Sequence, residues 1–393
     1  MSEMQAGLPT NGSFDGNFYT PPKPSDRPVF NLGYQSMKDV CETDYPDTEY
    51  IINEIMPCGF GVCAGNPKIG KSLSIQQLAV AVATGTPFLG LPTKKSNVLY
   101  LDLESSGKRT KDRAIRQGVT DFPENISMVY AKDLVDQDGQ PVTLKGDHLI
   151  YYLEDMVSFL TAQDKRPGLV IIDTLIKVKG GERGTLNQYE NDSAIWGKLQ
   201  NFAISNDLCI IGVAHLHKEL NGVTDTDWIE RISGSMGLAG VCDFIWGMFK
   251  SGRNPNDREA RFRITGRDIP DNDFVIRSDP DTLKWEMVSN NAKDYQLNTH
   301  PFFKYVISCG EVKGTSSELV KGYLEFCRSC GIPSRIVETD HNGKREDDKV
   351  LAMRFSAMIR KIKDDLPLIN YEYRAKSTSG GTLYSITKHV DLE

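Results

Sequence analysis

Between residues 58 and 215, short apolar runs alternate with longer stretches whose apolar positions recur every three or four residues. The runs at 60–64, 97–103, 126–130, 169–173 and 208–214 are brief and mostly apolar, as buried strands are. The stretches at 73–83, 149–160 and 189–205 have helical spacing, and a further helix carries Arg109, Lys111, Arg113 and Arg116. Strands separated by helices predict an α/β fold with a mainly parallel sheet covered on both faces. After residue 234 the spacing tightens. Runs at 242–249, 260–265, 273–276 and 282–287 are divided by turns of Gly, Asn, Asp and Pro, which predicts an antiparallel extension. The strand at 262–265 is expected at the far edge of the sheet.

The two ends read differently. Residues 1–30 are rich in Gly, Pro, Asn, Ser and Asp and predict disorder. Residues 31–57 carry scattered apolar positions expected to pack on the edge of a core domain that runs to 288. The polar stretch from 289 to 312 reads as a linker. Residues 313–393 then form a second, small α+β unit. Its helices are expected at 317–330 and 350–366, and its strands at 368–374 and 382–388 flank Ser377 to Gly381. That is the outline of a winged helix, with 350–366 as the recognition helix. Arg354, Arg360, Lys361 and Lys363 on that helix, and Arg374 and Lys376 near the hairpin tip, are candidate contacts to duplex or origin DNA. The competing reading is a packing or protein-interaction domain, because Asp364 and Asp365 dilute the charge.

Composition narrows the class. With 393 residues, two folded units are expected. No apolar run is long enough for a membrane span and no leader pattern opens the chain. Eight cysteines, mostly in apolar company, fit a reducing, cytoplasmic compartment better than a disulfide framework. Cys327 and Cys330 form a C-x-x-C with no second pair, so a helix face is the better reading than zinc. The net charge is −7, but from His300 onward 15 Lys and Arg meet 13 Asp and Glu, near +2. Contact with nucleic acid is therefore expected to be local, not a broad basic face.

The chemistry centres on Gly65-Asn66-Pro67-Lys68-Ile69-Gly70-Lys71-Ser72-Leu73. This G-x-x-x-x-G-K-S lies between a predicted strand and a predicted helix, the setting of a phosphate-binding loop. It calls for ATP: backbone amides cradle the phosphates, Lys71 reaches the β- and γ-phosphates, and Ser72 ligates Mg²⁺. Asp173 closes a buried strand and is the second expected Mg²⁺ ligand. Glu104 closes another and is the candidate base for the attacking water. His215 is either a γ-phosphate sensor or a satisfied histidine at the sheet edge. Ligands of such sheets bind beyond the carboxyl ends of the strands, where Gly65, Glu104, Asp173 and His215 all fall. Two polar loops leave that edge, with Lys177, Lys179 and Arg183 on one and Lys218 and Arg231 on the other. They are candidates for contact with a phosphate chain.

The chain from 33 to about 281 resembles the RepA-type replicative helicases of plasmids and phages, a branch of the RecA-like ATPases. The resemblance is carried by the phosphate loop, Val-Leu-Tyr-Leu-Asp-Leu-Glu at 98–104, and Leu-Val-Ile-Ile-Asp-Thr-Leu at 169–175. It continues in Asn-Gln-Tyr-Glu-Asn-Asp at 187–192, Ala-His-Leu-His-Lys at 214–218, the segment 231–240 and Thr-Gly-Arg-Asp at 265–268. It implies a ring, commonly a homo-hexamer, with ATP bound between subunits and single-stranded DNA in the pore. It also implies an arginine donated across the interface. The family's arginine in the 231–240 region is replaced here by Ser233, so Arg231 and Arg267 are both candidates, Arg267 slightly favoured. A RecA/RadA-type repair ATPase and a slow, nucleotide-switched binding protein are the alternatives.

Overall fold

The computed structural model describes residues 34–179, 188–216, 228–232, 236–250, 258–340, 342–378 and 381–389. Residues 34–47 belong to a unit of their own, with one short helix, α1 (Met37–Glu42), held by a Ser36–Asp39 capping box. None of the described residues of this unit is buried, whereas Ile51, Ile52 and Ile55 of the second unit are.

The second unit begins with a small hairpin, β1 (Tyr50–Ile52) and β2 (Met56–Pro57). Then follow β3 (Gly59–Gly65), α2 (Lys71–Thr84), β4 (Asn97–Asp102), α3 (Gly107–Arg116), β5 (Ile126–Tyr130), α4 (Asp147–Thr161) and β6 (Pro167–Asp173). Next come α5 (Leu175–Val178), α6 (Gln188–Ser205), β7 (Cys209–His215), α7 (Met236–Val241), β8 (Phe244–Lys250), β9 (Glu259–Gly266), β10 (Asn272–Ser278) and β11 (Trp285–Ser289). Nine of these strands form one sheet in the order β11-β10-β9-β8-β3-β7-β6-β4-β5. From β8 to β5 every pairing is parallel, and β9, β10 and β11 add antiparallel. The α/β class, the mainly parallel sheet and the antiparallel extension are thus as expected.

Two details differ. The strand at 244–250, expected within the extension, pairs parallel with β3 on one side and antiparallel with β9 on the other. And β9, expected at the edge, has β10 and β11 outside it. Side chains alternate across the sheet. Val98 and Tyr100 enter a core with Ile75, Leu78 and Val82 of α2, while Leu99 and Leu101 enter one with Leu153 of α4 and Leu199 of α6.

Residues 289–312, expected as a linker, are folded. They carry α8 (Ala292–Thr299), α9 (Pro301–Cys309) and the start of β12 (Glu311–Thr315). Asn291 caps α8 by accepting from the amides of Lys293 and Asp294, and Phe302, Phe303 and Val306 of α9 are buried in the C-terminal core. Behind them come α10 (Ser316–Ser329), α11 (Asp348–Ile362), β13 (Tyr371–Thr378) and β14 (Gly381–Lys388). β12, β14 and β13 form a three-stranded antiparallel sheet in that order. The second helix ends at Ile362, four residues short of expectation, because Lys363–Ile369 tightens into a 3₁₀ turn containing Pro367. Cys327 lies in this core on α10, while Cys330, exposed, caps the end of that helix.

Candidate active site

The glycine-rich loop runs from the end of β3 into α2. Gly70 has φ +108° and Lys68 φ +63°, left-handed positions of the kind that build a backbone nest. α2 starts without a side-chain cap, so its first amides point to the loop. Lys71 is buried, and its Nζ donates to the Gly65 carbonyl at 2.8 Å and the Asn66 carbonyl at 3.1 Å. Its third neighbour is His215 Nδ1 at 3.3 Å. An ammonium has only donors, so Nδ1 accepts and the imidazole proton sits on Nε2. Burial lowers the basicity of both groups, and the Lys71 charge pushes His215 further down. Parallel pairing of β3 with β7 sets Gly65 beside His215, and the Leu216 amide donates to the Gly65 carbonyl.

The carboxylates arrive from β6 and β4, whose register pairs Asp173 with Asp102. Asp173 is 2% exposed, and burial pushes its carboxyl up to about 6. The Ser72 hydroxyl works against that rise, the nearby Asp102 and Glu104 charges add to it, and the Tyr100 hydroxyl opposes it. Tyr100 donates to Asp173 Oδ2 at 3.4 Å, while Oδ1 is buried with no hydrogen-bond partner. A buried carboxylate oxygen left over beside a serine hydroxyl is a hard-oxygen set that fits Mg²⁺. Glu104 is exposed at the strand edge and accepts from Thr174 Oγ1 at 3.0 Å. Thr174 and Tyr100 were not singled out from sequence. Thr174 had a visible signal, since it directly follows the Asp173 that ends its strand.

The sheet thus gathers Lys71, Ser72, Glu104, Asp173 and His215 at one edge. The two arginine candidates are separated. Arg231 ends a 3₁₀ turn, Ile229–Arg231, whose neighbour Ile232 bridges Leu216, so it lies on the phosphate-loop edge. Arg267 follows β9, whose Gly266 pairs with Phe244 at the start of β8, so it lies at the opposite edge. Gly266 is required by close approach, not by a left-handed turn: a Cβ there would sit 2.4 Å from the Asp243 carbonyl.

The candidate nucleic-acid contacts also separate. Lys177 is exposed on α5, and Lys179 is half-buried just beyond it. Arg183 and Lys218 lie outside the described residues. Arg360 and Lys361 are exposed on α11. Arg354 is not available as expected: it pairs with Glu346 at 2.6 Å and donates to the Val337 carbonyl. Lys363 lies 6.0 Å over the Tyr373 ring and 3.3 Å from Asp364, and Arg374 pairs with Glu372 at 2.9 Å. A groove of about 980 Å³ runs between the second half of α2 and β11, lined by Val80, Thr84, Leu89 and Met287, away from the carboxylates.

Residues 30–221, just under half the chain, match the family described as an AAA domain. That match takes in Lys71, Ser72, Glu104, Asp173 and His215 and neither arginine candidate. A stretch of 169 residues, 42% of this chain, is 27% identical to the DNA repair protein RadA of Synechocystis sp., and covers 30% of that protein. Among solved structures, a DnaB-like replicative helicase described with its interactions with primase matches at a TM-score of 0.44 and 16% identity. That alignment covers 58% of this chain and 57% of the other. An isolated ATPase domain matches at 0.43 and 15%, covering 58% and 84%. Among the described residues no helix is long and apolar enough to cross a membrane.

Proposed function

We propose that this chain is an ATP-driven DNA helicase or translocase of the RepA type, acting in replication of plasmid, phage or mobile-element DNA. One observation carries the reading. The phosphate loop, both carboxylates and His215 share one sheet edge, while Arg267 stands at the other. Such an arginine serves no phosphate of its own subunit, and a head-to-tail ring brings it to a neighbour's. Arg231, on the phosphate edge, fits better as a cis contact to nucleotide or DNA.

In the reaction, Lys71 leaves the Gly65 and Asn66 carbonyls for the β- and γ-phosphate oxygens. Ser72 and Asp173 would hold Mg²⁺, which would supply positive charge beside the phosphates. Glu104, oriented by Thr174, accepts the proton of the water that attacks the γ-phosphorus, and ADP leaves. His215, bonded to Lys71 and leading into the following loop, reports the change at the γ-position.

The order α9, β12, α10, α11, β13, β14 with a three-stranded sheet supports a winged helix for the tail. Arg360, Lys361 and Lys376 are the exposed charges it would offer to DNA. The stretch shared with RadA favours a repair ATPase as the second reading. ATPase turnover with and without single-stranded DNA, measured beside unwinding of a forked duplex, tests both. DNA-stimulated turnover with unwinding supports the helicase. Stimulated turnover without unwinding selects the RadA-type reading, and absence of stimulation selects a nucleotide switch.

A further inference from the structure

Asp243, which no motif marks, sits between the phosphate-loop strand and Arg267. Its Oδ2 accepts from the Phe60 amide at 2.9 Å, at the start of β3. Its Oδ1 accepts from Gln200 Nε2 of α6 at 2.7 Å and faces Arg267 Nη1 at 3.7 Å. The backbone is fixed as well: Asp243 donates its amide to the Phe60 carbonyl at 2.7 Å, and its own carbonyl accepts from the Arg267 amide at 3.0 Å. Arg267 Nη2 donates to the Gly240 carbonyl at 2.8 Å. The site is sterically closed around the carboxylate. A Cβ on Gly59 would lie 2.4 Å from Asp243 Oδ2, and one on Gly266 2.4 Å from its carbonyl.

The exposures differ in a telling way. The Asp243 side chain is 18% exposed and Arg267 51% exposed. A carboxylate pinned at both oxygens faces Nη1, the Gly240 carbonyl takes a bond from Nη2, and the guanidinium stays half-exposed. Simple charge pairing at the surface would not need a third strand, a helix and two glycines shaped around the acid. We infer that Asp243 is a positioning residue that sets the bearing of Arg267 toward the neighbouring subunit's nucleotide. The inference rests on Arg267 being the arginine that acts across the interface. An arginine finger contributes on the order of 10³-fold or more to turnover, and a displacement of about 1 Å in such a group costs on the order of 10²-fold.

The test uses the full chain assembled with ATP, Mg²⁺ and single-stranded DNA. Asp243→Asn keeps an acceptor for the Phe60 amide and removes the charge facing Arg267. Its kcat should fall ~10- to 100-fold with KM for ATP within about twofold, and Asp243→Glu should recover part of the loss. The decisive readout is where the defect acts. Asp243→Asn subunits keep Lys71, and Lys71→Ala subunits keep Asp243 and Arg267, so mixing them should restore turnover at shared interfaces. A structural lesion would stay in its own subunit and show no such recovery. Adding Asp243→Asn to Arg267→Ala should cost nothing further. Wild-type kcat in Asp243→Asn beside a dead Arg267→Ala overturns the inference and leaves the finger standing, and so does a slow Asp243→Asn that mixing does not rescue. Wild-type turnover in Arg267→Ala instead removes the finger reading itself. If Asp243→Asn does not fold, Gln200→Met, which frees Oδ1, takes its place with the same two outcomes.

Discussion

Replacing Asp173 with Asn should make the protein harder to unfold while stopping its chemistry. The side chain is almost fully buried, its Oδ1 has no partner, and its carboxyl is pushed up to about 6 by burial. In the unfolded chain the same group titrates near 3.9. Well below pH 4 both states hold the proton and the acid costs nothing. As pH rises the unfolded chain ionises first, so stability is lost until the folded carboxyl also ionises near 6, and the loss is constant above that. The two-unit gap corresponds to roughly 3 kcal/mol at pH 7 and roughly 1–2 kcal/mol at pH 5. Asparagine is nearly isosteric and does not titrate, so the difference between the two proteins isolates this group. The assay is denaturant unfolding in EDTA at several pH values between 5 and 8. Asp173→Asn should be the more stable protein, by a margin that grows from pH 5 to pH 7. Adding Mg²⁺ should raise the wild type and leave the variant unchanged. A margin that is flat or shrinks across that range would refute burial as the cause of the raised carboxyl.

Other outcomes follow from the geometry. Lys71→Ala should abolish hydrolysis, whereas Glu104→Gln should still bind ATP but turn over ~10²-fold more slowly or worse, checked by nucleotide binding beside steady-state ATPase. Thr174→Val, which removes the 3.0 Å bond to Glu104, should lower kcat by about tenfold at unchanged KM. Arg360→Ala and Lys361→Ala should each reduce the salt dependence of duplex binding by about one unit, while Arg354→Ala should destabilise the tail and leave that slope alone. Truncation after Ser289 should give a soluble ATPase core, and truncation after Val312 an aggregating one, because the second cut strips Phe302, Phe303 and Val306 of their partners.

The phosphate edge was legible because its parts are local. A glycine-rich turn and an acid or histidine closing a short apolar run need only one strand each, and parallel strands carry their carboxyl ends to a common edge. What depended on pairing was not legible. Arg267 follows a strand much as Glu104 does, yet β9 runs antiparallel, and that alone sends it to the opposite edge. Asp243 gains its partners from residues about 24, 43 and 183 positions away, a set no spacing rule assembles. The stretch 289–312 looked like a linker because α8 is polar. Its helix is fixed by the Asn291 cap, and β12 has no meaning without β14 some seventy residues later.

That same α8 decides what kind of attachment the tail has. Tyr295 donates to Glu259 of β9 at 2.8 Å and accepts from Arg277 of β10, while the next residue, Gln296, donates to Asp365 of the tail at 3.1 Å and Lys293 pairs with that acid too. The grips on core and tail lie within one turn of a single helix. A module on a loose tether samples a volume and adds avidity in proportion to its local concentration. A module gripped this way would trade that search for one bearing. A second hold on a nucleic-acid strand would then be all or nothing: present in full where the strand's path crosses the tail, and absent where it does not. Residues inserted between Thr299 and Pro301 would redirect the tail, not extend its reach.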